Sequence, residues 1–385
     1  MIDARGLIGL DAIKTIFLIG TFYIIAIAIY RLFLSPLSKI PGPKLAALTY
    51  LYEFYWDGWQ PGQLLFKTKE LHEKYGPIVR TGPYTVHIND ISYYDNIYAG
   101  GGSKHPRDKV HHVLTAKSMF NTFESGLHRK RRAAISSPFS KQSIRSIEPA
   151  IWEIAQDYAG RLARLAGTGE VVDLKGLYNS LTQEVIGRYC FGVSSMDGLR
   201  EGRQEAEFLG LFDNWPFVAA WSRMFPWFFD AIDAMPLSVL KWLHPGWDKL
   251  QKFDAQITRQ IKEVLTRDTP LYGAKNVFQE MRDSKHLPDS DRNEAYYKNE
   301  AVSFIGAGTE TTAGSLATLS YHLLANPHML QKLREELQTV MHAGREFRDE
   351  PPTWAQLEAL PYLVSCARFA DSVREYRLAT DGAWL

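Results

Sequence analysis

Two short stretches carry residue types that could do chemistry. The first is Ala307-Gly308-Thr309-Glu310-Thr311-Thr312. On a helix, Ala307 and Thr311 lie four positions apart and share a face. The Thr311 hydroxyl can then bond back to the Ala307 carbonyl, which bends a helix and loosens a turn. Gly308 removes a side chain beside that turn, leaving a groove in which a molecule as small as dioxygen could sit. Glu310 puts an acid next to the alcohol and could serve as a proton source. The plainer reading of the same residues is close packing against another helix. A phosphate-binding glycine loop fits Gly306-Ala307-Gly308 less well, because that motif opens a helix after a strand and these glycines fall in mid-helix.

The second stretch is His128-Arg129-Lys130-Arg131-Arg132, followed by AAISSPFS. On a helix, His128 and Arg132 fall one turn apart on one face. They could grip a pair of carboxylates, with charge-assisted hydrogen bonds from the guanidinium. Arg129, Lys130 and Arg131 would mostly point elsewhere and form a basic patch for an acidic partner. The plain alternatives are a solvated basic turn and a nucleic-acid patch. The two cysteines, Cys190 and Cys366, are far apart and neither sits in a CxxC or CxxH spacing. That pattern predicts neither a zinc site nor a disulfide framework, and no metal ligands are assigned.

The elements that must position these residues are mostly helical. A long helix is expected from about Arg292 to Ala325, stopped by Asn326-Pro327, with an amphipathic helix over His328–Met341 after it. At about 1.5 Å per residue the long helix would cross a whole domain. Ile144–Leu165 and Leu174–Cys190 also show helical periodicity. Ile78–Asn89 reads as two short strands around Gly82-Pro83. The segment Trp215–Trp247 is rich in Trp, Phe and Pro, and its helical character is weakened at Pro216, Pro226, Pro236 and Pro245. The sum is a mainly α single domain with a small β element near its N-terminal side.

The chain has 385 residues, 23% charged and 45% hydrophobic, with a formal net charge of +1. That is globular composition, and the balance argues for neither nucleic acid nor a strongly acidic partner. Thr15–Tyr30 carries no charge, and Leu32-Phe33-Leu34 extend the apolar run past Arg31. A spanning helix needs about 20 apolar residues, a length reached if Lys14 and Arg31 snorkel to the two interfaces. Asp3, Arg5, Asp11 and Lys14 cancel before the run, whereas Arg31, Lys39 and Lys44 follow it, so the main body is expected on the cytosolic side. A cleaved signal peptide is the rival reading, but no small-x-small cleavage site ends the run. Pro41-Gly42-Pro43 then separates the anchor from the body as a stiff hinge.

Taken in order, the anchor, the Pro-Gly-Pro hinge, HRKRR-AAISSPFS, AGTETT and Leu360-Pro361-Tyr362-Leu363 resemble one family, the cytochromes P450, in the style of the fungal enzymes of secondary metabolism. The resemblance runs from about Lys39 to Leu363, and AGTETT fits the family's [AG]Gx[DE]T[TS] pattern without a mismatch. It implies a P450 fold whose long helix passes over the distal face of haem b. It assigns Ala307, Gly308, Glu310 and Thr311 to dioxygen binding and proton delivery. It assigns His128 and Arg132 to the haem propionates, as counterparts of a W/H-x-x-x-R pair. The basic residues beside them would face NADPH-cytochrome P450 reductase. Ala99–Phe123 and Trp215–Phe229 would border the substrate channel. The implied activity is O2- and NADPH-dependent hydroxylation or epoxidation of a small lipophilic metabolite, by a single-pass protein of the endoplasmic reticulum membrane.

The resemblance departs after Leu363. An ExxR helix should follow, with its Glu near position 369, where Phe369 stands; Asp371-Ser372-Val373-Arg374 is a DxxR in a shifted register. The family's FxxGxRxCxG segment is not found among the 385 residues. The thiolate on the haem iron is what promotes O–O cleavage. Cys190 lies in the wrong region, and Cys366 sits where ExxR belongs. The expected organisation is therefore an anchor over 1–38, a hinge over 39–45, a partial P450 domain over 46–363 lacking the C-terminal haem-ligand region, and a divergent tail over 364–385. As written, the chain is expected to be inactive. The alternative to a monooxygenase is a catalytically dead, P450-derived membrane protein with a binding role; an unrelated helical interaction protein is the remaining reading.

Overall fold

The computed structural model describes residues 4–60, 62–97, 115, 117–192, 221, 224–225, 227, 231, 234–243, 246–267, 275–341 and 351–380. Two compact units divide near Gly100.

In the first unit a helix runs over Ala4–Ile29 and ends in a single π-helical turn, Tyr30–Leu34. Lys14–Leu34 is long and apolar enough to cross a membrane by length and composition. Its large side chains, Phe17, Phe22 and Ile24 among them, are exposed. The π-turn closes through Ser35 N–H donating to the Tyr30 carbonyl at 2.7 Å, and the Ser35 hydroxyl then caps a 3-10 turn over Pro36–Lys39. The two short strands expected around Gly82-Pro83 are present: Ile78–Arg80 pairs antiparallel with Val86–Ile88 in the register Val79↔His87. The buried Arg80 guanidinium donates to the carbonyls of Arg31, Gly82 and Pro83. It thereby ties the chain that leaves the N-terminal helix to the hairpin. The Arg80 backbone N–H donates to Pro41, and a Cβ on Gly42 would fall 2.3 Å from the Arg80 carbonyl oxygen. The middle residue of Pro-Gly-Pro is thus a point of close backbone approach as well as part of a hinge.

Among its described residues, the regular elements of the second unit are all helices. The basic stretch lies on the helix Ser125–Ser136, capped by the Glu124 carboxylate, which accepts from the Gly126 and Leu127 N–H groups. Ile144–Leu165 is not one helix. It breaks at Ile147 into Lys141–Ser146 and Glu148–Leu165. Pro149 lacks the N–H a continuous helix would need there and suits a first turn instead. Leu174–Phe191 ends at Gly192 with φ +71°, a left-handed C-terminal turn. The long helix spans Glu294–Ala325, close to its expected bounds, with Asn293 accepting from Tyr296 N–H at its start and Asn326 closing its end. Its 32 residues make it about 48 Å long. Pro327–Gln338 follows, then Trp354–Glu358, then Pro361–Thr380. Gly246–Thr266, strongly amphipathic, was not marked out in the sequence. Pro236 stands just before the helix Leu237–Leu243, and Pro245 lies outside the described residues.

The core lies along the long helix. Phe191, Phe278, Met281, Ile257, Ile261, Tyr296, Tyr297, Ala301 and Ile305 pack there as one cluster. Leu174–Phe191 lies against the long helix over most of its length and buries polar residues as well as apolar ones, Asn179, Thr182, Glu184 and Arg188 among them. Arg188 is neutralised by Glu184 at 2.9 Å and Glu153 at 2.7 Å. A buried charge survives only when paired in this way.

Candidate functional site

The two stretches singled out by chemistry both fall on helices of the second unit. On the long helix, Ala307 and Thr311 are exposed on one face. The Thr311 hydroxyl donates to the Ala307 carbonyl at 2.6 Å, and the Ser315 hydroxyl repeats the pattern to the Thr311 carbonyl at 3.2 Å. The Thr311 back-bond to Ala307 is the one the spacing predicted, on a helix that stays continuous over Glu294–Ala325.

Thr309 points the other way and is buried; its carbonyl accepts the Thr182 hydroxyl at 3.0 Å. Gly308 does not open a groove. A Cβ there would stand 3.1 Å from Ile186 Cγ1, so the missing side chain lets Leu174–Phe191 approach. At this one position the close-packing reading is the correct one, because 100° of helical rotation carries residue 308 away from the 307–311 ridge.

Glu310 sits between the two faces. Its Oε1 lies 3.2 Å from Lys175 Nζ at the start of Leu174–Phe191, while its Oε2 is buried without a partner among the described residues. A half-exposed pair of this kind contributes at most about 1 kcal/mol. Its effect is positional: the carboxylate is held against the flanking helix, one residue from the Thr311 hydroxyl.

On the basic helix, His128 is half-buried and Arg132 is exposed, one turn apart. Arg129 and Lys130 are exposed as expected, but Arg131 is not part of the basic patch. Its Nε and Nη2 donate to the two carboxylate oxygens of Asp291 at 2.7 and 2.8 Å. Its Nη1 donates to the Lys117 carbonyl and the Thr122 hydroxyl, and its guanidinium covers the Tyr296 ring at 4.8 Å. Arg131 shares the inward face with Ala134 and Ile135, so burial with a dedicated carboxylate replaced solvation.

Beside it, Glu300 is fully buried, and its Oε1 accepts the Met119 N–H at 2.5 Å. Asn299 Oδ1 accepts the Lys117 N–H at 3.1 Å. Sequence reasoning missed Lys175, Asp291, Thr182 and Glu300. Only Glu300 left a local signal, a carboxylate one turn after Tyr296 on a face that continues into apolar residues.

The two thiols offer little chemistry. Cys190 is fully buried in the main core, and burial pushes its thiol well above the usual range. Cys366 is buried on Pro361–Thr380. That helix starts on the Glu336 carboxylate, which accepts the Tyr362 and Leu363 N–H groups at 2.9 and 2.7 Å. Phe369, at the position where the resemblance expected a glutamate, is exposed with its ring edge-on to His322. Among the described residues, no group of three His, Cys, Asp or Glu could hold a metal ion.

A cavity of about 510 Å³ is lined by Ser137, Ser143, Ile151, Arg188, Lys275 and Glu280. It includes none of His128, Arg132, Ala307 or Thr311. Most of Ala99–Phe123, and all of Trp215–Phe229 but Trp221, Met224, Phe225 and Trp227, lie outside the described residues.

Comparison with known proteins gives a consistent result. The cytochrome P450 family model matches residues 43–368. The cytochrome P450 monooxygenase oblB of Aspergillus clavatus is 34% identical over 359 residues, covering 89% of this chain and 68% of its own length. The cytochrome P450 monooxygenase MO6277 of Ascocoryne sarcoides is 36% identical over 366 residues, with the same coverage. The conidiogenone synthase PchP450 of Penicillium rubens is 35% identical over 347 residues, again covering 89% of this chain and 68% of its own length.

Proposed function

This chain belongs to the cytochrome P450 family, among relatives of the fungal secondary-metabolism monooxygenases, and on that premise we propose that its described residues form the distal half of a haem monooxygenase site. The reaction class is reductase- and O2-dependent hydroxylation or epoxidation of a small lipophilic metabolite. Family membership implies haem, a reductase and O2. When bound, haem would supply the oxygen-activating chemistry; the protein supplies binding, orientation and electrostatics.

The observation that carries the reading is the exposed ridge on which the Thr311 hydroxyl rests on the Ala307 carbonyl, with Glu310 held beside it by Lys175. Thr311 Oγ1 carries a proton at that face and can pass it on only by leaving the Ala307 carbonyl. Glu310 can resupply it once it leaves Lys175 and takes up a proton from solvent. Ala307 keeps the ridge low, and Gly308 seats the helix against Ile186. His128 and Arg132 are the donors assigned to the propionates.

The same residues fit haem on one side only. An axial thiolate needs an accessible, charge-stabilised sulfur. Cys190 is enclosed by the core, and Cys366 is buried on a helix carrying none of the family's ligand-loop residues. No step through the iron is therefore derived. The thiol positions favour a second reading for the 385-residue chain on its own, a membrane-bound protein without monooxygenase activity.

The anchor sets the location: a single pass through the endoplasmic reticulum membrane with the body in the cytosol. Carbonate extraction should leave the protein in the membrane pellet, and an N-glycosylation acceptor engineered into the body should stay unmodified. Release into the supernatant, or modification of that acceptor, contradicts the placement. The site reading is tested in a chimera joining residues 1–363 to the remaining C-terminal part of one of the relatives. There Thr311→Ala should uncouple NADPH consumption from product formation. Unchanged coupling would remove Thr311 from the relay.

A further inference from the structure

We propose that Glu300 is a positioning residue, a proton-controlled latch that fastens residues 117–123 across the first turns of the long helix while its carboxyl is neutral and loosens them when it ionises. Residues 117–123 form a strap leading directly into the basic helix. Three side chains from two helices hold it, mostly through its backbone. Glu300 Oε1 accepts the Met119 N–H at 2.5 Å, and Asn299 Oδ1 accepts the Lys117 N–H at 3.1 Å. Arg131 donates to the Lys117 carbonyl at 3.0 Å and to the Thr122 hydroxyl at 2.7 Å.

The charges around Glu300 decide how it behaves. Arg131 is the cation that faces it, but that cation is bound to both oxygens of Asp291. The two charges offset each other, and an ionised Glu300 would be left without its own partner. The other nearby cations are turned away: Lys298 reaches Asp254 at 2.8 Å, Lys262 reaches Glu294 at 3.4 Å, and Lys117 is exposed. Glu300 Oε2 and the Tyr296 hydroxyl are both buried, close enough to act on each other but without a well-aligned hydrogen-bond partner among the described residues. A protonated Oε2 turned toward Tyr296 would satisfy both atoms with one proton.

Burial pushes the Glu300 carboxyl up to about 7, against the opposing pull of the Tyr296 hydroxyl, the Met119 N–H and Arg131. An open strap admits water and returns the carboxyl to its ordinary value of 4.5. The open form therefore binds fewer protons between those values. The closed form is favoured at the acid end, and its advantage is lost as pH rises toward 7, with no further change above that. Opening would free the start of the helix that carries His128 and Arg132, a consequence that rests on the site proposed above; the latch itself does not.

Hydrogen exchange of the Lys117 to Thr122 amides, corrected for the intrinsic pH dependence of exchange, tests it on the full 385-residue chain in lipid nanodiscs. Amides of Leu174–Phe191 serve as the internal reference for global folding. In the wild type, strap protection should fall by about tenfold or more between pH 5 and pH 8, while the reference holds. Glu300→Gln keeps the acceptor oxygen and cannot ionise, so its strap should stay protected and flat across the range. Wild-type strap protection constant within about twofold, or a Glu300→Gln profile as steep as the wild type, overturns the proposal. The wild-type series stands alone if the variant fails to fold.

Discussion

Replacing Asp291 by alanine is predicted to be among the most destabilising single changes in the second unit. The Arg131 and Asp291 side chains are only 11% and 9% exposed, and they meet through two parallel hydrogen bonds. Removing the carboxylate strands a buried guanidinium, a change that costs about 3–5 kcal/mol where it has been measured in other proteins. Two features moderate it here: Nη1 keeps the Lys117 carbonyl and the Thr122 hydroxyl, and the Tyr296 ring still faces the cation. The expected cost of Asp291→Ala is therefore about 3 kcal/mol, the low end of that range. Asp291→Asn retains one acceptor and should cost about 1–2 kcal/mol. Arg131→Met combined with Asp291→Leu removes both charges and should be milder than either single change, because apolar replacement of a whole buried pair is often close to neutral. The assay is urea unfolding in detergent, followed by tryptophan fluorescence, with wild type, Arg131→Met, Asp291→Leu and the variant carrying both forming a double-mutant cycle. An Asp291→Ala cost below about 1 kcal/mol, or a coupling energy near zero, would show that the pair is solvated and that Arg131 belongs to the basic surface after all.

Gly308→Val should destabilise by about 1–3 kcal/mol through overpacking on Ile186, with Ile186→Ala restoring most of the loss. Equal sensitivity in both backgrounds would mean the glycine serves the open ridge instead. Gly42→Ala puts a carbon 2.3 Å from a backbone oxygen that cannot yield, so it should expose the hairpin of the first unit to limited proteolysis. A cleavage pattern identical to the wild type would remove the close approach of Gly42 and Arg80 from the account.

Elements with local punctuation were legible in the sequence. The long helix announced itself by Asn326-Pro327 at its end, and the two short strands by Gly82-Pro83 between them. The apolar run marked a helix long and apolar enough to cross a membrane. The family pattern in AGTETT and the order of the five motifs were enough to find the relatives. Features set by distant partners were not legible. Arg131 and Asp291 are 160 residues apart, and nothing near either one says that the third basic residue of HRKRR turns inward. Lys175 reaches Glu310 only because two helices cross there. Gly308 looked like space for a ligand and is space for Ile186, since a glycine records that something comes close but not what. The break at Ile147 was visible in Pro149, but periodicity on both sides masked it.

The ferrous carbon-monoxide spectrum of the haem-reconstituted 385-residue chain tests the central claim most directly: a P450 distal face in a chain whose two thiols cannot serve the iron. The account predicts no red-shifted thiolate-type band from this chain, and its appearance in the chimera that adds a relative's C-terminal part to residues 1–363. A clear thiolate-type band from the chain itself, abolished by Cys366→Ala, would contradict the account and make Cys366 the axial ligand.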